Sequence, residues 1–403
     1  MPATQYLTAA QAASALGVTR ATLYAYASRG QLRSESVPGR TRERRYHRED
    51  IERLTERKAA RRDPSRAAAQ GLHLGAPVLE SRITLIHGGT FYYRGQDALA
   101  MAKTESVEAL AGFLWEAAEG EGERLFRQTS PLDARHIAAL ARLVEDRRAL
   151  VQAALTIAAP QDLASYDLRP AAVRATGARI LRLLTAAVAG RDTREPMHVA
   201  LQNAWAPRRP AAADAIRTAL VLSADHELNV SAFTARCAAS AGACPYDVVS
   251  AAMATLKGYK HGGASERTLS LVRYADTLRR ARTAVAERLR QGDRVPGFGH
   301  PLYPAGDPRA AMLLRLAEAS GNEPAWRPFR HLVRAGEELL NERPNLDLGL
   351  AALGRTHRLP DEAPFLLFAL GRTVGWIAHA IEEYSSGRLI RPRARYTGPM
   401  PVS

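Results

Sequence analysis

The sequence is poor in cysteine, with only two in 403 residues. Two cysteines cannot form the framework of several disulfides that holds small secreted domains together, which excludes that class of protein. Cys237 and Cys244 lie two helical turns apart in a helical pattern. We expect both to be reduced, buried helix residues of a cytoplasmic protein.

Long apolar runs are also missing. The longest run, around Pro364–Leu370, is much shorter than the roughly 18 residues that cross a bilayer. The first residues, MPATQYLTAAQAA, lack the basic region and apolar run that typify a signal peptide. We therefore expect neither a leader nor a membrane span. The composition, 46% hydrophobic and 24% charged, is that of a globular chain with a large core and excludes a disordered or fibrous protein.

Charge is distributed unevenly along the chain. The net charge is 56 − 41 = +15, and only four of the 56 basic residues are lysine. Residues 1–66 hold 14 basic and 7 acidic residues, a net +7, whereas the other 337 residues hold 42 and 34, a net +8. A basic end on a nearly balanced body indicates a polyanion-binding module attached to something else.

The basic end has the pattern of two short helices joined by a glycine turn. Thr8 and Gln11 fit a capping box at the start of the first helix. Gly17 makes the turn, Thr19 can cap the second helix, and Gly30 can end it. Two basic arms around a Pro-Gly turn then predict a β-hairpin, and a third helix begins near residue 50.

This stretch resembles the excisionase-like, MerR-type winged helix-turn-helix domains, through AAQAASALGVTRATLYAY, RGQL and RRYHREDIERL. The resemblance implies a DNA-binding domain whose second helix enters the major groove. Its DNA face would hold Thr19, Arg20, Thr22 and Tyr24–Tyr26. Arginines of the hairpin would track phosphates: Arg40, Arg42, Arg44 and Arg45. A domain used only for dimerisation or packing is the alternative.

The rest of the chain divides into a linker and a mainly α-helical body. We place the helix-turn-helix domain at residues 1–60, the linker at 61–77 and the body at 78–403. The body begins with a predicted β-hairpin around Gly88-Gly89. Beyond it, apolar spacing predicts helices over Val107–Ala117, Ala134–Ala158, Ala171–Ala189, Ala211–Ser223 and Leu269–Arg290.

Four polar clusters interrupt the helical pattern of the body. They are ADHELN at 224–229, KHGGA at 260–264, GFGHPLY at 297–303 with DPR at 307–309, and NLD at 345–347 with arginines nearer the end. Each cluster alone is a weak signal, since a histidine near glycines is commonly a loop residue. No cluster offers three ligands at metal-binding spacing, so we expect no metal site.

Taken together, these clusters resemble citrate synthases across residues 78–403. The matching stretches, in family order, are ITLIHGGTFYYRG, ADHELN, KHGGASE, VPGFGHPLYPAGDPRA, PNLDLGL, LGRTVGWIAHAIEEY and RLIRPRARYTGP. The resemblance implies the citrate synthase fold, with a large helical domain at about 78–256 and 356–403 and a small one at about 257–355. It also implies a transferase that condenses acetyl-CoA with oxaloacetate and water to citrate and CoA in the tricarboxylic acid cycle.

The resemblance assigns three catalytic residues. Asp347 matches the base that removes a methyl proton from the thioester, and His261 matches the donor to the thioester oxygen. His300 matches the histidine that polarises the oxaloacetate carbonyl. A thioester proton is weakly acidic, so a carboxylate base works only if the enol oxygen is stabilised as it forms.

Substrate-binding residues follow from the same resemblance. The two carboxylates of oxaloacetate suit guanidinium forks, and Arg309, Arg372 and Arg391 match the family's clamp, with His226 as a further donor. Arg391, preferred over Arg393, would reach into the partner's site, which implies a homodimer and leaves higher assembly open. The CoA loop would be Val295, Pro296, Gly297 and Phe298. Acetyl-CoA would be a co-substrate, with no tightly bound cofactor and no metal.

Three departures from the family pattern leave alternatives open. Pro301 and Pro304 replace residues that are often basic in GHRVYK, so a CoA phosphate contact is lost or moved. Leu348-Gly349-Leu350 replaces the usual DFYSG, which leaves propionyl-CoA and a 2-methylcitrate product open. The helix-turn-helix is unusual in front of such a body. A DNA-binding transcription regulator with a metabolite-sensing body is therefore the second hypothesis.

Overall fold

The structure is a computed structural model that describes residues 6–36, 44–48, 50–51, 54–55, 79–127, 130–192, 194–394 and 396–400. Contacts divide the chain into two compact units, residues 1–80 and 81–403. The proposed linker at 61–77 lies outside the described residues, and the boundaries given to the domains stay predictions.

The first unit contains the two predicted short helices, α1 (Ala9–Leu16) and α2 (Arg20–Ser28). The capping box is confirmed, because the Thr8 hydroxyl accepts from Gln11 N and the Gln11 side chain accepts from Thr8 N. Gly17 ends α1 in the left-handed conformation, and the Thr19 hydroxyl accepts from Thr22 N at the start of α2. Local hydrogen bonds therefore set both helix starts and the turn between them.

A three-stranded antiparallel sheet completes the described part of this unit. The predicted hairpin strands are β2 (Ser34–Ser36) and β3 (Arg44–His47). An unpredicted strand, β1 (Tyr6–Thr8), pairs with the other edge of β3. The described residues 48, 50–51 and 54–55 are helical, in agreement with the predicted third helix. Leu23 and Tyr46 are fully buried in the small core of this unit.

The second unit begins with the predicted hairpin of β4 (Thr84–His87) and β5 (Thr90–Tyr93), extended by β6 (Gln96–Asp97). Gly88 and Gly89 both have positive φ, 61° and 77°. Two positive φ values in a two-residue loop match the twist of a hairpin, and glycine adopts them without strain. The hairpin leads directly into the helices.

The remainder of the second unit is helical, which confirms the predicted mainly α-helical fold. The helices are α3 (Ala98–Thr104), α4 (Val107–Leu114), α5 (Glu121–Leu125), α6 (Ala134–Leu143), α7 (Arg147–Ala158), α8 (Pro170–Ala189), α9 (Met197–Trp205), α10 (Ala212–Ser223), α11 (Val230–Ser240), α12 (Pro245–Leu256), α13 (Ala264–Val272), α14 (Leu278–Arg290), α15 (Pro308–Ala319), α16 (Glu323–Leu340), α17 (Leu346–Thr356) and α18 (Ala363–Ser386). Two short 3₁₀ turns, Ala159–Gln161 and Leu163–Tyr166, follow α7.

Two of the predicted helices were wrong because each is broken in the middle. The span 134–158 divides into α6 and α7, where Val144 is extended and the Asp146 carboxylate caps the new helix by accepting from Arg148 N. The span 269–290 divides into α13 and α14, where the Thr277 hydroxyl caps the second helix. In both places a side chain that satisfies a free backbone N–H outweighs a continuous apolar stripe.

The prediction for the cysteines is partly wrong. Both are free thiols, but Cys237 is half-buried in α11 and Cys244 is the N-cap of α12 rather than a helix residue. Burial is the first cause that raises the pKa of both thiols above the usual value.

The second unit has two hydrophobic cores. The larger is built on α8, α10 and α18, and the smaller is formed by residues between Leu269 and Ala352. Helix α17 contributes to both cores, since Leu350 belongs to the larger and Leu348 to the smaller. Helix α17 therefore packs into both cores and joins them.

Among the described helices, α18 alone is long and apolar enough to cross a membrane by length and composition. Its whole apolar window is buried inside the protein, as in the central helix of a globular fold. It packs against α4, α8, α10, α11, α12 and α17. The apolar length is thus explained by burial on all sides.

Close approach of α18 to the end of α10 depends on Gly375. Its N–H donates to Ala224 O at 3.0 Å, and a Cβ there would overlap that oxygen and the Asp225 carboxylate. We expect Gly375→Ala to lower the free energy of unfolding by about 1–3 kcal/mol, because the clash is with backbone and a fixed carboxylate. Denaturant unfolding measures the change. In the control, Gly354→Ala, a Cβ would only touch Pro364 side-chain carbons, and an equal loss there would contradict the explanation.

Candidate active site

His226 lies in the turn that follows α10. The Tyr93 hydroxyl of β5 holds this turn, donating to Val221 O at 2.9 Å and accepting from Asp225 N at 3.3 Å. The imidazole is 5% exposed, and its Nε2 lies 2.9 Å from the Tyr303 hydroxyl. The hairpin and the end of α10 thus fix the position of His226.

His300 lies in the loop between α14 and α15. Gly299 N donates to Arg343 O and Asn345 N donates to Gly297 O, each at 2.9 Å, which ties this loop to the start of α17. His300 Nδ1 accepts from Leu302 N at 3.2 Å, so the proton of the neutral ring is on Nε2. The His226 and His300 rings meet edge to face, with centroids 5.0 Å apart.

Arg309 and Asp307 form a buried pair at the start of α15. Arg309 donates to the Asp307 carboxylate from Nε at 3.0 Å and from Nη2 at 2.8 Å. The same carboxylate caps α15 through Arg309 N and accepts from Leu346 N, at the start of α17, at 3.1 Å. Asp307 therefore connects the guanidinium to the helix that carries Asp347.

Arg372 is almost wholly buried in α18, with 1% of its surface exposed. Its Nε donates to Ser223 O at 2.8 Å, and its guanidinium carbon lies 4.8 Å from the Phe368 ring centroid. The buried carboxylate of Asp225 partly offsets the charge. That carboxylate accepts from Thr84 Oγ1 at 2.6 Å and lies 3.2 Å from His379 Nε2.

His261 also contacts Phe368, with ring centroids 5.7 Å apart. Its Nε2 lies 2.9 Å from the Ser231 hydroxyl of α11, and Trp376 Nε1 donates to that hydroxyl at 3.2 Å. His261 and Arg372 therefore both contact one phenyl ring, that of Phe368.

Asp347 is the second residue of α17 and is partly buried. The Ser265 hydroxyl of α13 donates to its Oδ1 at 2.6 Å, and Asn345 caps the helix by accepting from Asp347 N. Oδ1 accepts the hydrogen bond from Ser265, and among the described residues no hydrogen bond to Oδ2 is found. A carboxylate with one oxygen available suits a group that accepts a proton.

Burial makes the three histidines neutral and the aspartate a stronger base. Desolvation, and then the positive charge of Arg309 or Arg372, lowers the pKa of His261 to about 3 and of His300 to about 4. The same causes lower the pKa of His226 well below its usual value. Desolvation raises the pKa of Asp347 to about 6. The site at pH 7 thus combines neutral imidazole N–H groups with an ionised carboxylate.

The structure brings together most of the residues proposed for the site. His226, His300 and Arg309 surround Tyr303, and Arg372 and His261 share Phe368. The two groups are close enough that Arg372 lowers the pKa of His226. Asp347 belongs with them, since Arg309 and Asp307 both act on its pKa.

Two parts of the predicted set lie apart from this cluster. Arg391 and Arg393 are exposed on the segment after α18. The proposed CoA loop, residues 295–298, is buried, and the Val295 and Phe298 side chains belong to the smaller core. Any contact of this loop with a ligand would therefore use its backbone.

In the first unit, some side chains of the proposed DNA face are exposed and others bond within the unit. Arg20 and Arg44 are exposed, while Thr19 and Thr22 hydrogen-bond each other. Arg45 is occupied within the unit, donating to Glu35 Oε2 at 3.0 Å and lying over the Tyr6 ring. Arg40 and Arg42 lie outside the described residues.

Several residues of the site were given no role in the analysis of the sequence, although Tyr303 and Asp307 lie within its polar clusters. Tyr303, Asp307, Ser231 and Ser265 each hydrogen-bond a proposed site residue. Tyr303 and Asp307 lie within eight residues of His300, which is the signal that could have identified them. In the ranges that the structure describes, no group of three His, Cys, Asp or Glu residues is arranged to hold a metal ion.

Comparisons with known proteins agree with this architecture. A sequence profile described as "Citrate synthase, C-terminal domain" matches residues 71–393, and one described as "Helix-turn-helix domain" matches residues 6–59. The chain is 32% identical over 362 residues to a citrate synthase of Haloferax volcanii, covering 80% of this chain and 94% of that protein. It is 27% identical over 365 residues to a citrate synthase of Deinococcus radiodurans, covering 82% and 96%.

Solved structures give the same result. The crystal structure of citrate synthase from Thermotoga maritima aligns with a TM-score of 0.69 at 26% identity, covering 82% of this chain and 96% of that one. The Thermoplasma acidophilum citrate synthase, solved as a ternary complex with carboxymethyl coenzyme A and oxaloacetate, aligns with a TM-score of 0.73 at 25% identity, covering 83% and 97%. The chain therefore belongs to the citrate synthase family of enzymes and carries a helix-turn-helix domain in front of the family's fold.

Proposed function

We propose that the second unit condenses acetyl-CoA with oxaloacetate and water, giving citrate and CoA. Asp347 removes a proton from the thioester methyl group while His261 donates a hydrogen bond to the developing enol oxygen. The enol carbon attacks the oxaloacetate ketone, whose oxygen accepts a hydrogen bond from His300 and takes up the His300 proton as it becomes the citrate hydroxyl. Water then hydrolyses the citryl thioester. Arg309 and Arg372 bind the substrate carboxylates, His226 adds a polar contact, and no tightly bound cofactor takes part.

The observation that carries this proposal is the pairing of a carboxylate of raised pKa with neutral histidines. A base of pKa about 6 is ionised at pH 7 yet stronger than an ordinary carboxylate. His300 has its proton on Nε2, because Nδ1 already accepts from Leu302 N. A neutral N–H donor stabilises an oxyanion without first releasing a proton to solvent.

The residues after Asp347 favour acetyl-CoA over propionyl-CoA. Leu348 and Leu350 are fully buried, one in each hydrophobic core, and a Cβ on Gly349 would touch Leu313. The residues that differ from the family's DFYSG pattern therefore fill the hydrophobic cores, and they do not enlarge a site for an acyl chain. A 2-methylcitrate synthase is the alternative product assignment.

Thiol release tests the reaction and the acyl group together. Purified full-length protein is given acetyl-CoA or propionyl-CoA, with and without oxaloacetate, and free CoA thiol is followed. Oxaloacetate-dependent release, faster with acetyl-CoA, is expected. Faster release with propionyl-CoA would make the protein a 2-methylcitrate synthase. No release with either, from folded protein that binds oxaloacetate, would refute the enzymatic proposal.

We also propose that two chains complete each other's sites in a cytoplasmic homodimer. The support is Arg391, which is exposed rather than placed with Arg309 and Arg372. Mixing Asp347→Asn and Arg391→Gln chains should restore about a quarter of the wild-type activity, because half the dimers then hold one intact site. No recovery after subunit exchange would place Arg391 outside the partner's site.

Binding of duplex DNA by the first unit is the second candidate function. Its support is the family match together with α2, on which Arg20 and Tyr24 are exposed near a capped N-terminus. A gel shift would compare the gene's own upstream DNA with random DNA, with and without oxaloacetate. Arg20→Ala should weaken binding and lower its salt dependence. Equal affinity for both DNAs would count against a transcription regulator.

A further inference from the structure

Tyr303 contacts His226, His300 and Arg309, and its side chain is 2% exposed. Its hydroxyl lies 2.9 Å from His226 Nε2, and its ring centroid is 5.4 Å from that of His226. The His300 ring is 5.0 Å away, and the Arg309 guanidinium carbon is 5.7 Å away. One phenol thus packs against three residues proposed to hold the substrate.

The hydrogen bond of this phenol joins the two halves of the second unit. His226 follows α10 of the larger core, whereas Tyr303 lies in the His300 loop, which is tied to the smaller core through Phe298. Residues 257–355 would form the separate small domain. The Tyr303–His226 hydrogen bond therefore links the turn that carries His226 to the loop that carries His300.

The direction of the bond follows from hydrogen-bonding capacity. Burial, the first cause, raises the pKa of Tyr303 and lowers that of His226, so the pair is a neutral phenol and a neutral imidazole. Among the described residues, His226 Nε2 is the hydrogen-bond partner recorded for the Tyr303 hydroxyl. If Nε2 donated, the phenol hydrogen would be left buried without an acceptor, which is costly. The phenol therefore donates, and the His226 proton is on Nδ1.

We propose that Tyr303 is a positioning residue for oxaloacetate binding, which holds His226 in the Nδ1–H tautomer and at a fixed distance from His300. The inference rests on the proposed function, because it assigns His226 and His300 to the oxaloacetate site. His226 and His300 are 74 positions apart in the sequence, so the local backbone does not fix their relative positions. The phenol supplies a direct connection between them.

The variant Tyr303→Phe removes only the hydroxyl and keeps the ring packed on His300 and Arg309. The KM for oxaloacetate should rise about tenfold, since a buried imidazole nitrogen loses its donor. The KM for acetyl-CoA at saturating oxaloacetate should stay within twofold of wild type, and kcat should change less than the oxaloacetate KM. An unchanged or lower oxaloacetate KM would overturn the proposal.

Tyr384→Phe is the matched control. It removes the hydroxyl of a partly buried tyrosine in the same unit, one that donates to Ala243 O at 2.6 Å and lies away from the cluster. It should reduce thermal stability as much as Tyr303→Phe or more, with no change in either KM. If both variants change the oxaloacetate KM alike, the effect belongs to general loosening of the fold and the proposal is wrong.

Nitrogen-15 NMR of histidine-labelled protein reads the tautomer without any turnover. The His226 signals are identified by their loss in His226→Gln. Wild type should show a protonated Nδ1 and an unprotonated, hydrogen-bonded Nε2, and Tyr303→Phe should lose that single form. A wild-type signal with the proton on Nε2 would overturn the inference. If the wild type releases no thiol, the proposed function is wrong. The NMR measurement tests the His226 tautomer independently of that result.

Discussion

Replacing Asp347 with asparagine should lower kcat about 1,000-fold, within the range of rate effects of a positioned general base. The amide cannot take up a proton from the thioester methyl group. It can still accept from the Ser265 hydroxyl, so the start of α17 should be preserved. Alanine at this position should abolish turnover in the same way. Oxaloacetate binding, measured by calorimetry, should remain within about threefold of wild type, because the clamp arginines are untouched.

The pH dependence of the wild-type enzyme gives an independent measure of this base. Burial raises the pKa of Asp347 to about 6, so the carboxylate becomes protonated as the pH falls through that value. The rate of the condensation should therefore decrease as the pH falls, with a midpoint near pH 6. The residual rate of Asp347→Asn should not show this decrease. Asp276→Asn is the control, since Asp276 is an exposed carboxylate paired with Arg280. Unchanged turnover in Asp347→Asn would remove Asp347 from the mechanism.

Replacing His261 with alanine should lower kcat by about 100- to 1,000-fold, the usual cost of losing one donor to a developing oxyanion. Burial and the charge of Arg372 keep this histidine neutral, with a pKa of about 3. The His261→Ala substitution should therefore lower kcat by the same factor at every pH above 5. The oxaloacetate KM should change little, because the thioester oxygen and the ketone are contacted by different histidines in the proposed mechanism.

The comparison variant is His136→Ala, which removes an exposed histidine paired with Asp133 on α6. It should leave both kcat and the acetyl-CoA KM unchanged. A His261→Ala enzyme that keeps its kcat but loses affinity for acetyl-CoA would make His261 a binding residue and leave the oxyanion without its proposed donor.

The sequence drew attention to the proposed site residues because each lies in a short contiguous motif. His226, His261, His300 and Asp347 were named from four short stretches, and the structure places them around Tyr303, Phe368 and the start of α17. The capping box of α1, the Thr19 cap and the glycine turn of the first unit were predicted for the same reason. Each depends on residues three or four apart, whose hydrogen bonds the local sequence determines.

Contacts between distant residues could not be predicted in this way. The Asp225 carboxylate is held by Thr84 and His379, which lie 141 and 154 residues away from it. The breaks at Val144 and Thr277 were missed because the apolar spacing continues through them, while a side-chain cap decides where each helix starts again. Periodicity reports which face of a helix is buried, not whether the backbone is continuous.

The position of α18 has a consequence for how the protein is made. This helix lies at the centre of the larger core, yet it is the last helix in chain order. While the ribosome is still translating, α8, α10 and α11 have left it with their apolar faces unpaired, because their common partner has not yet been synthesised. The first unit has its own core and can fold early, whereas the larger core closes only near the end of synthesis. We therefore expect the nascent chain to expose apolar surface of the larger core until α18 has been synthesised.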